Sequence, residues 1–346
     1  MNKMRVKMPA RVSILIKILL FFIIFKIIDM TLGGALYYFK YFDKPDMHAL
    51  MWRDFYSQEN NSIDVLFLGS SHARFAFDSA YFDTELNAGT FNLSSSGQTP
   101  LVGYYALEEA LKYQKPKVLV YEIYWRMLGA SDNVTPAYFV FDYIKGYDTK
   151  AQMLAALIGE RAFSSFFTET AIKTYKNRDG LIPAVKKVLN GELINNDVEA
   201  WNNIGYADFT YYKNGYFGSE KVATPYKLSA GNPFKKAGLS FQWNQKQLEY
   251  MKKTLSLCKE NNIKVIMVAA PVPKPTMDLL KDYDEAYGHI KSIADSFKID
   301  FLDYNLINRQ SGIFTNDMFY DSNHLNTKGA GVLDRHFAPV IKKHLH

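Results

Sequence analysis

The sequence predicts an α/β protein in which helices cover both faces of a five-stranded parallel sheet. Short runs of branched and aromatic residues recur along the chain, and segments with helical periodicity separate them. One long stretch interrupts this alternation, which predicts an insertion between the third and fourth strands. We therefore expect a three-layer α/β/α domain with a large insertion.

The N-terminal region is the most apolar part of the chain. Residues 12–32 supply the ~20 apolar residues that a helix needs to cross a bilayer core of ~30 Å. Lys17 and Lys26 interrupt this run, and Asp29 is spaced to pair with Lys26 on one helix face. We expect an uncleaved transmembrane anchor; a cleaved signal peptide is the alternative, although no clear cleavage site follows the run.

Charge is concentrated at the same end of the chain. Of the formal net charge of +6, the first thirty residues contribute +5. Because the basic tail at 1–11 precedes the span, the N-terminus is expected in the cytoplasm. A juxtamembrane linker at 33–60 would then lead to a domain outside the cell membrane. The near-neutral remainder gives no basic face for nucleic acid.

The elements of the α/β domain follow in order within residues 61–130 and 241–346. Helical patterns precede the third, fourth and fifth strands, and a final helix closes the chain. The predicted strands cover residues 64–68, 90–93, 117–123, 263–270 and 299–304. The predicted helices cover residues 100–114, 244–262, 284–298 and 326–345.

The insertion at 131–240 has two halves. The first half is helical in pattern, over 150–167 and 181–190. The second half is rich in aromatic residues from Trp201 onward, and Asn-Gly at 214–215 is a hairpin signal. Its aromatic side chains fit either a sugar-stacking surface or the core of a small β-rich subdomain.

Polar residues cluster where the predicted strands end. Ligands of open α/β sheets bind beyond the carboxyl ends of the strands. The first strand runs into Ser70 and Ser71, the second into residues 94–99, and Asp321 and His324 precede the final helix. We expect these segments to meet at one edge of the sheet.

These residue types fit nucleophilic catalysis. A serine hydroxyl needs a base to take its proton and a third group to orient that base. His324 can alternate as base and acid near neutral pH, and Asp321 can hold its tautomer. Backbone N–H groups at the turn after the first strand, and that of Gly97, are the expected donors to an oxyanion.

The motifs at these positions resemble those of the SGNH, or GDSL-like, hydrolase superfamily. Gly69-Ser70-Ser71 matches its first block, which makes Ser71 the nucleophile. Residues 92–99 match its second block with Gly97 as the oxyanion glycine, and Asp321 to His324 matches its last block. The resemblance implies a flavodoxin-like fold.

The third block departs from that family. Where the family has Gly-x-Asn-Asp, this chain has Tyr-Glu-Ile-Tyr-Trp at 121–125, so the oxyanion asparagine is missing. Tyr124, Trp125 or a backbone amide are the candidates to replace it.

Gly-Ser-Ser and the apolar N-terminus make the chain similar to a membrane-anchored branch of the superfamily. That branch holds the D-alanyl transfer protein of teichoic acid operons and the alginate O-acetylation proteins. The resemblance implies a serine acyltransferase or esterase that acts on a cell-surface polysaccharide or teichoic-type polymer beside a membrane-bound O-acyltransferase. Transfer and hydrolysis both remain open. An inactive scaffold that binds the polymer is the alternative, favoured by the missing asparagine.

Several neighbours of these motifs are further candidates for substrate binding. They are Ser70, His72, Arg74 and Asn92, together with Tyr124 and Trp125. His72 is expected mainly as a structural or pocket-lining neighbour, and Arg74 either meets an anionic group or lies on a helix surface. The sequence has neither a phosphate-binding glycine motif nor a metal-ligand spacing, and its one cysteine, Cys258, forms no cysteine cluster, so we expect no cofactor and no metal.

Overall fold

The computed structural model describes residues 10–43, 45–130, 135–157, 172–194, 204–206, 208–236 and 241–345. The chain divides into two compact units, one formed by Met1–Pro45 and Glu160–Val198 and the other by Asp46–Gly159 and Glu199–His346. Most of the predicted basic tail, the second half of the helix predicted at 150–167, and Trp201 lie outside the described residues.

The second unit contains the predicted five-stranded parallel sheet. The described strands are β1 (Val65–Leu68), β2 (Thr90–Asn92), β3 (Val118–Glu122), β4 (Ile204–Gly205), β5 (Thr210–Tyr211), β6 (Phe217–Gly218), β7 (Lys264–Ala269) and β8 (Asp300–Asp303). The main sheet has the order β2-β1-β3-β7-β8, and every pair in it is parallel. This confirms the α/β class and the five predicted strands. The insertion between β3 and β7 is confirmed as well.

Helices connect these strands. They are α1 (Ala10–Lys40), α2 (Met47–Ser57), α3 (Ser71–Ala76), α4 (Ser79–Leu86), α5 (Pro100–Ala110), α6 (Trp125–Leu128), α7 (Thr135–Phe141), α8 (Tyr147–Leu157), α9 (Lys173–Lys176), α10 (Leu181–Leu189), α11 (Pro225–Leu228), α12 (Gln245–Glu260), α13 (Lys274–Met277), α14 (Tyr283–Ser296), α15 (Tyr304–Ser311) and α16 (Thr327–Leu345). Short 3-10 turns cover Arg178–Gly180, Pro233–Lys236 and Asn316–Met318.

Local sequence explains where the helices of the sheet domain begin. The Thr99 side chain accepts the N–H of Val102, and Pro100 occupies the first turn of α5, where no backbone donor is needed. The Asn244 side chain caps α12 in the same way. Strands β1 and β3 are buried along their whole length, as expected of central strands in a parallel sheet, whereas the edge strand β8 begins with the exposed Asp300.

The aromatic hairpin of the insertion packs as core. Strands β5 and β6 pair antiparallel around Asn214 and Gly215, both with positive φ, which confirms the predicted hairpin. Tyr211 and Phe217 are buried in one cluster with Leu50 and Phe75. The aromatic residues therefore form a core, as in the second interpretation, but the hairpin shares this core with α2 and α3 instead of forming a separate β-rich subdomain.

The first unit is built on α1. The Asp29 carboxylate accepts the backbone N–H groups of Lys173 (3.0 Å) and Thr174 (2.9 Å), and Lys26 Nζ lies 3.3 Å from it. The expected Lys26–Asp29 pair therefore forms, and Asp29 also holds the first turn of α9. Most large apolar side chains of α1 are exposed.

The span predicted over residues 12–32 is not supported. Within the part of the chain that the structure describes, no helix is both long and apolar enough to cross a membrane.

Candidate active site

The turn after β1 presents two adjacent serines in different environments. Gly69 lets the chain pass close to β3, since a Cβ there would lie 2.6 Å from the Cβ of Glu122. Ser70 is buried and caps α3, its Oγ accepting the N–H of His72 at 3.2 Å. Ser71, the first residue of α3, is half-buried. The turn therefore uses Ser70 for structure and leaves Ser71 accessible.

Ser71, His324 and Asp321 form a hydrogen-bonded series. Ser71 Oγ lies 2.8 Å from His324 Nε2. On the other side of the ring, His324 Nδ1 lies 3.0 Å from Asp321 Oδ2 and 3.2 Å from Oδ1. With the ring hydrogen on Nδ1, facing the carboxylate, Nε2 is free to accept the hydroxyl hydrogen of Ser71.

The loop that carries His324 is organised by Asp321. Its Oδ1 accepts the backbone N–H groups of Asn323 (2.7 Å) and His324 (2.8 Å). Burial acts to raise the pKa of Asp321, but the hydrogen bonds and charge of His324, with these two backbone N–H groups, lower it to about 2. The carboxylate therefore stays ionised at neutral pH, and the Tyr320 ring stacks on His324 with centroids 5.5 Å apart.

A second set of polar residues supports the serine turn from the buried side. Ser70 donates both its N–H (2.9 Å) and its hydroxyl (3.0 Å) to Glu122 Oε2 at the end of β3. Burial raises the pKa of Glu122 to about 7, although the hydrogen bonds from Ser70 oppose it. The same carboxyl group therefore ties β3 to the turn that holds Ser71.

His72 lies behind the same turn. Its Nδ1 is 3.3 Å from Ser70 Oγ, its Nε2 is 3.0 Å from Asn323 Oδ1, and its ring lies against Tyr124 with centroids 3.7 Å apart. Burial and the nearby His324 place the pKa of His72 well below its ordinary value, so the ring is neutral. The Tyr124 hydroxyl also donates to Asn323 Oδ1, at 3.1 Å.

The loop after β2 comes to the same place. Ser95 N–H donates to the carbonyl of Gly69 at 3.2 Å, so the second predicted block is fixed to the first. Gly97 has φ +61°, a conformation that favours glycine, and is half-buried like Ser71. Asn92 is buried; its amide donates to the carbonyls of Ala73 and Phe77, which leaves none of its hydrogens for a substrate.

Arg74 and Trp125 lie in buried clusters. Arg74 is neither on a helix surface nor open to an anion: its guanidinium lies over the rings of Phe75 and Phe217 and contacts His48 Nε2 at 3.4 Å. Trp125 packs against Phe241 with centroids 4.9 Å apart. Of the residues expected at β3, the structure brings Tyr124 to the last block and places Trp125 in apolar packing.

Sequence reasoning missed Glu122 and Asn323. Glu122 is an acidic residue that ends an otherwise apolar strand, and a charged side chain so placed needs a partner when buried. Asn323 lies between the aspartate and the histidine of the last block, where the motif itself specifies nothing. Among the described residues, no group of three or more His, Cys, Asp or Glu side chains is placed to hold a metal ion.

The structure is thus that of an α/β protein with a hydrogen-bonded Ser-His-Asp series beyond the carboxyl ends of its parallel strands. The chain belongs to the DUF1574 family, described as a protein of unknown function, which it matches over residues 13–329. No curated protein matches it. Among solved structures it is similar to a Bacteroides fragilis NCTC 9343 protein described as a candidate acylhydrolase, with 12% identity and a TM-score of 0.41, over 85% of this chain and 95% of that one.

Proposed function

We propose that this protein is a serine acyltransferase or esterase that works through an acyl-Ser71 intermediate. The observation that carries the proposal is the series of contacts from Ser71 Oγ to His324 Nε2 (2.8 Å) and from His324 Nδ1 to Asp321 (3.0 Å). Nucleophile, base and orienting carboxylate are all within hydrogen-bond distance before any substrate binds.

The proposed reaction has two halves. His324 Nε2 takes the Ser71 proton as Oγ attacks the acyl carbonyl, and the protonated ring then gives that proton to the leaving alcohol as the ester bond breaks. In the second half His324 takes a proton from water or from an acceptor hydroxyl, which attacks the acyl-serine; as the acyl–Oγ bond breaks, His324 returns that proton to Ser71 Oγ. Asp321 stays ionised throughout and stabilises the imidazolium.

The substrate class rests on the resemblance of the motifs to the SGNH superfamily. We propose a cell-surface polysaccharide or teichoic-type polymer as the acyl acceptor or ester. We also propose that the protein acts outside the cytoplasm beside a membrane-bound O-acyltransferase, as the similar branch of that superfamily implies.

The test is labelling with a serine-reactive fluorophosphonate together with turnover of a chromogenic acetyl ester. Both should be lost in Ser71→Ala and fall sharply in His324→Ala. Ser311→Ala is the control, because Ser311 is an exposed serine at the end of α15, outside the three matched blocks; it should keep both signals. A folded wild-type protein that neither labels nor turns over ester would overturn the proposal in favour of a polymer-binding scaffold.

Transfer and hydrolysis are separated in cells. Loss of surface acyl groups in the Ser71→Ala strain, with no matching fall in released acid, supports transfer. A Ser71→Ala strain that gains surface acyl groups supports hydrolysis.

A further inference from the structure

The oxyanion site lacks the side-chain donor that an asparagine after β3 would supply. The chain instead ends β3 with Glu122, which is bound to Ser70, and continues to Tyr124. An oxyanion next to Ser71 is left with backbone donors unless another segment brings an amide.

Asn323 is an amide between Asp321 and His324 that is held against His72, the residue after Ser71, and against Tyr124. Its Oδ1 is 3.1 Å from the donating hydroxyl of Tyr124 and 3.0 Å from His72 Nε2. Its backbone N–H is bound to Asp321. The residue is half-buried and precedes His324 in the chain, while His72 follows Ser71.

The direction of the hydrogen bonds leaves the amide nitrogen of Asn323 available. His72 is neutral and carries one ring hydrogen. Because the amide oxygen Asn323 Oδ1 can only accept, this hydrogen lies on Nε2 and is donated to Oδ1 at 3.0 Å. Two donors thus converge on Oδ1, and within the described residues no partner is assigned to Nδ2.

We propose that Asn323 Nδ2 donates to the oxyanion formed at Ser71, replacing the asparagine that is absent after β3. The inference rests on the proposed acyl-serine function. Tyr124 and His72 are its positioning residues, because they hold Oδ1 and thereby direct Nδ2 away from themselves.

The test compares Asn323→Asp with Asn323→Ala. Aspartate keeps an oxygen acceptor for Tyr124 and His72 but cannot donate, and it adds negative charge beside the oxyanion. We expect kcat for a chromogenic ester to fall about 10²- to 10³-fold in both variants, with KM little changed, as for loss of one oxyanion donor. If Asn323 only anchors the loop as an acceptor, Asn323→Asp will retain clearly more kcat than Asn323→Ala, and the inference is overturned.

Two controls separate this result from other failures. Tyr124→Phe removes one donor to Oδ1 but leaves Nδ2, so its kcat should fall less than that of either Asn323 variant. An inactive wild-type protein would instead contradict the proposed function itself. A crystal structure of the phosphonylated wild-type protein tests the inference without any variant. Asn323 Nδ2 should lie within hydrogen-bond distance of the phosphoryl oxygen, and a nitrogen turned away from that oxygen would refute the inference.

Discussion

Two histidines flank Ser71, and their surroundings differ. His324 is partly accessible and faces a carboxylate that stays ionised, whereas His72 is buried among Ser70, Tyr124 and Asn323. Their rings are only 4.8 Å apart. Burial keeps His72 neutral, while His324 has a partner that stabilises the imidazolium it forms on taking a proton. Both histidines are close to Ser71, so it is the hydrogen-bond partners of each ring, and not its distance from Ser71, that make His324 the base and His72 a structural residue.

We expect the largest difference in kcat between the same substitution made at His324 and at His72. His324→Gln removes the base and should lower kcat about 10⁶-fold, since loss of a triad histidine removes the whole relay. His72→Gln should lower kcat by no more than about 10²-fold, the scale of a misplaced site. Steady-state turnover of a chromogenic ester checks both. Equal losses in two folded variants would break the distinction between base and support.

Some features around Ser71 can be predicted from the sequence, and others cannot. Apolar runs bounded by turn residues predict all five strands, and motif order predicts Ser71, Asp321 and His324 as neighbours. The burial of Arg74 was out of reach, because the rings that cover it come partly from the hairpin at 209–217. Asn323 was missed for a related reason: its two partners follow β1 and β3, far away in sequence.

Asp321→Asn should have the next largest effect. An amide can donate to His324 Nδ1, which turns the ring hydrogen toward Ser71 and blocks proton transfer, so kcat should fall about 10⁴-fold. The protein should remain folded, because Asn keeps an oxygen for the backbone N–H groups of residues 323 and 324. The control is the thermal unfolding midpoint. Near wild-type kcat in Asp321→Asn would show that the carboxylate does not orient the ring.

For Glu122, on the buried side of the serine turn, we expect an effect on the stability of the protein and on how that stability depends on pH. The pKa of Glu122 is raised from 4.5 to about 7 in the folded protein, so the folded state binds more protons between these values. The free energy of unfolding should therefore fall as pH rises from about 4.5 to about 7, by about 3 kcal/mol from this group at ~1.4 kcal/mol per pKa unit.

Glu122→Gln isolates that contribution, because glutamine keeps an oxygen for the Ser70 N–H but does not titrate. Urea unfolding of wild type and variant at several pH values gives the difference directly, and other titrating groups cancel in it. The wild type should lose stability relative to the variant as pH rises through this window. A difference that is independent of pH would mean that folding does not raise the pKa of Glu122.

The smallest effect is expected at Arg74, which tests whether the buried side also binds substrate. Burial lowers the pKa of Arg74 to about 10, so it remains charged at neutral pH, and aromatic rings and a neutral His48 surround it. Arg74→Met removes a cation–π contribution of up to about 2 kcal/mol. It also removes the cost of a buried charge to which no carboxylate of the described residues is bound, so the free energy of unfolding should change by about 1 kcal/mol or less. The ratio of KM values for an anionic and a neutral ester should not change, because the guanidinium is covered. A tenfold rise in KM for the anionic ester alone would show instead that the aromatic cluster around Arg74 opens to substrate. Side-chain exposure in the free protein would then not distinguish the accessible side of Ser71 from its buried side.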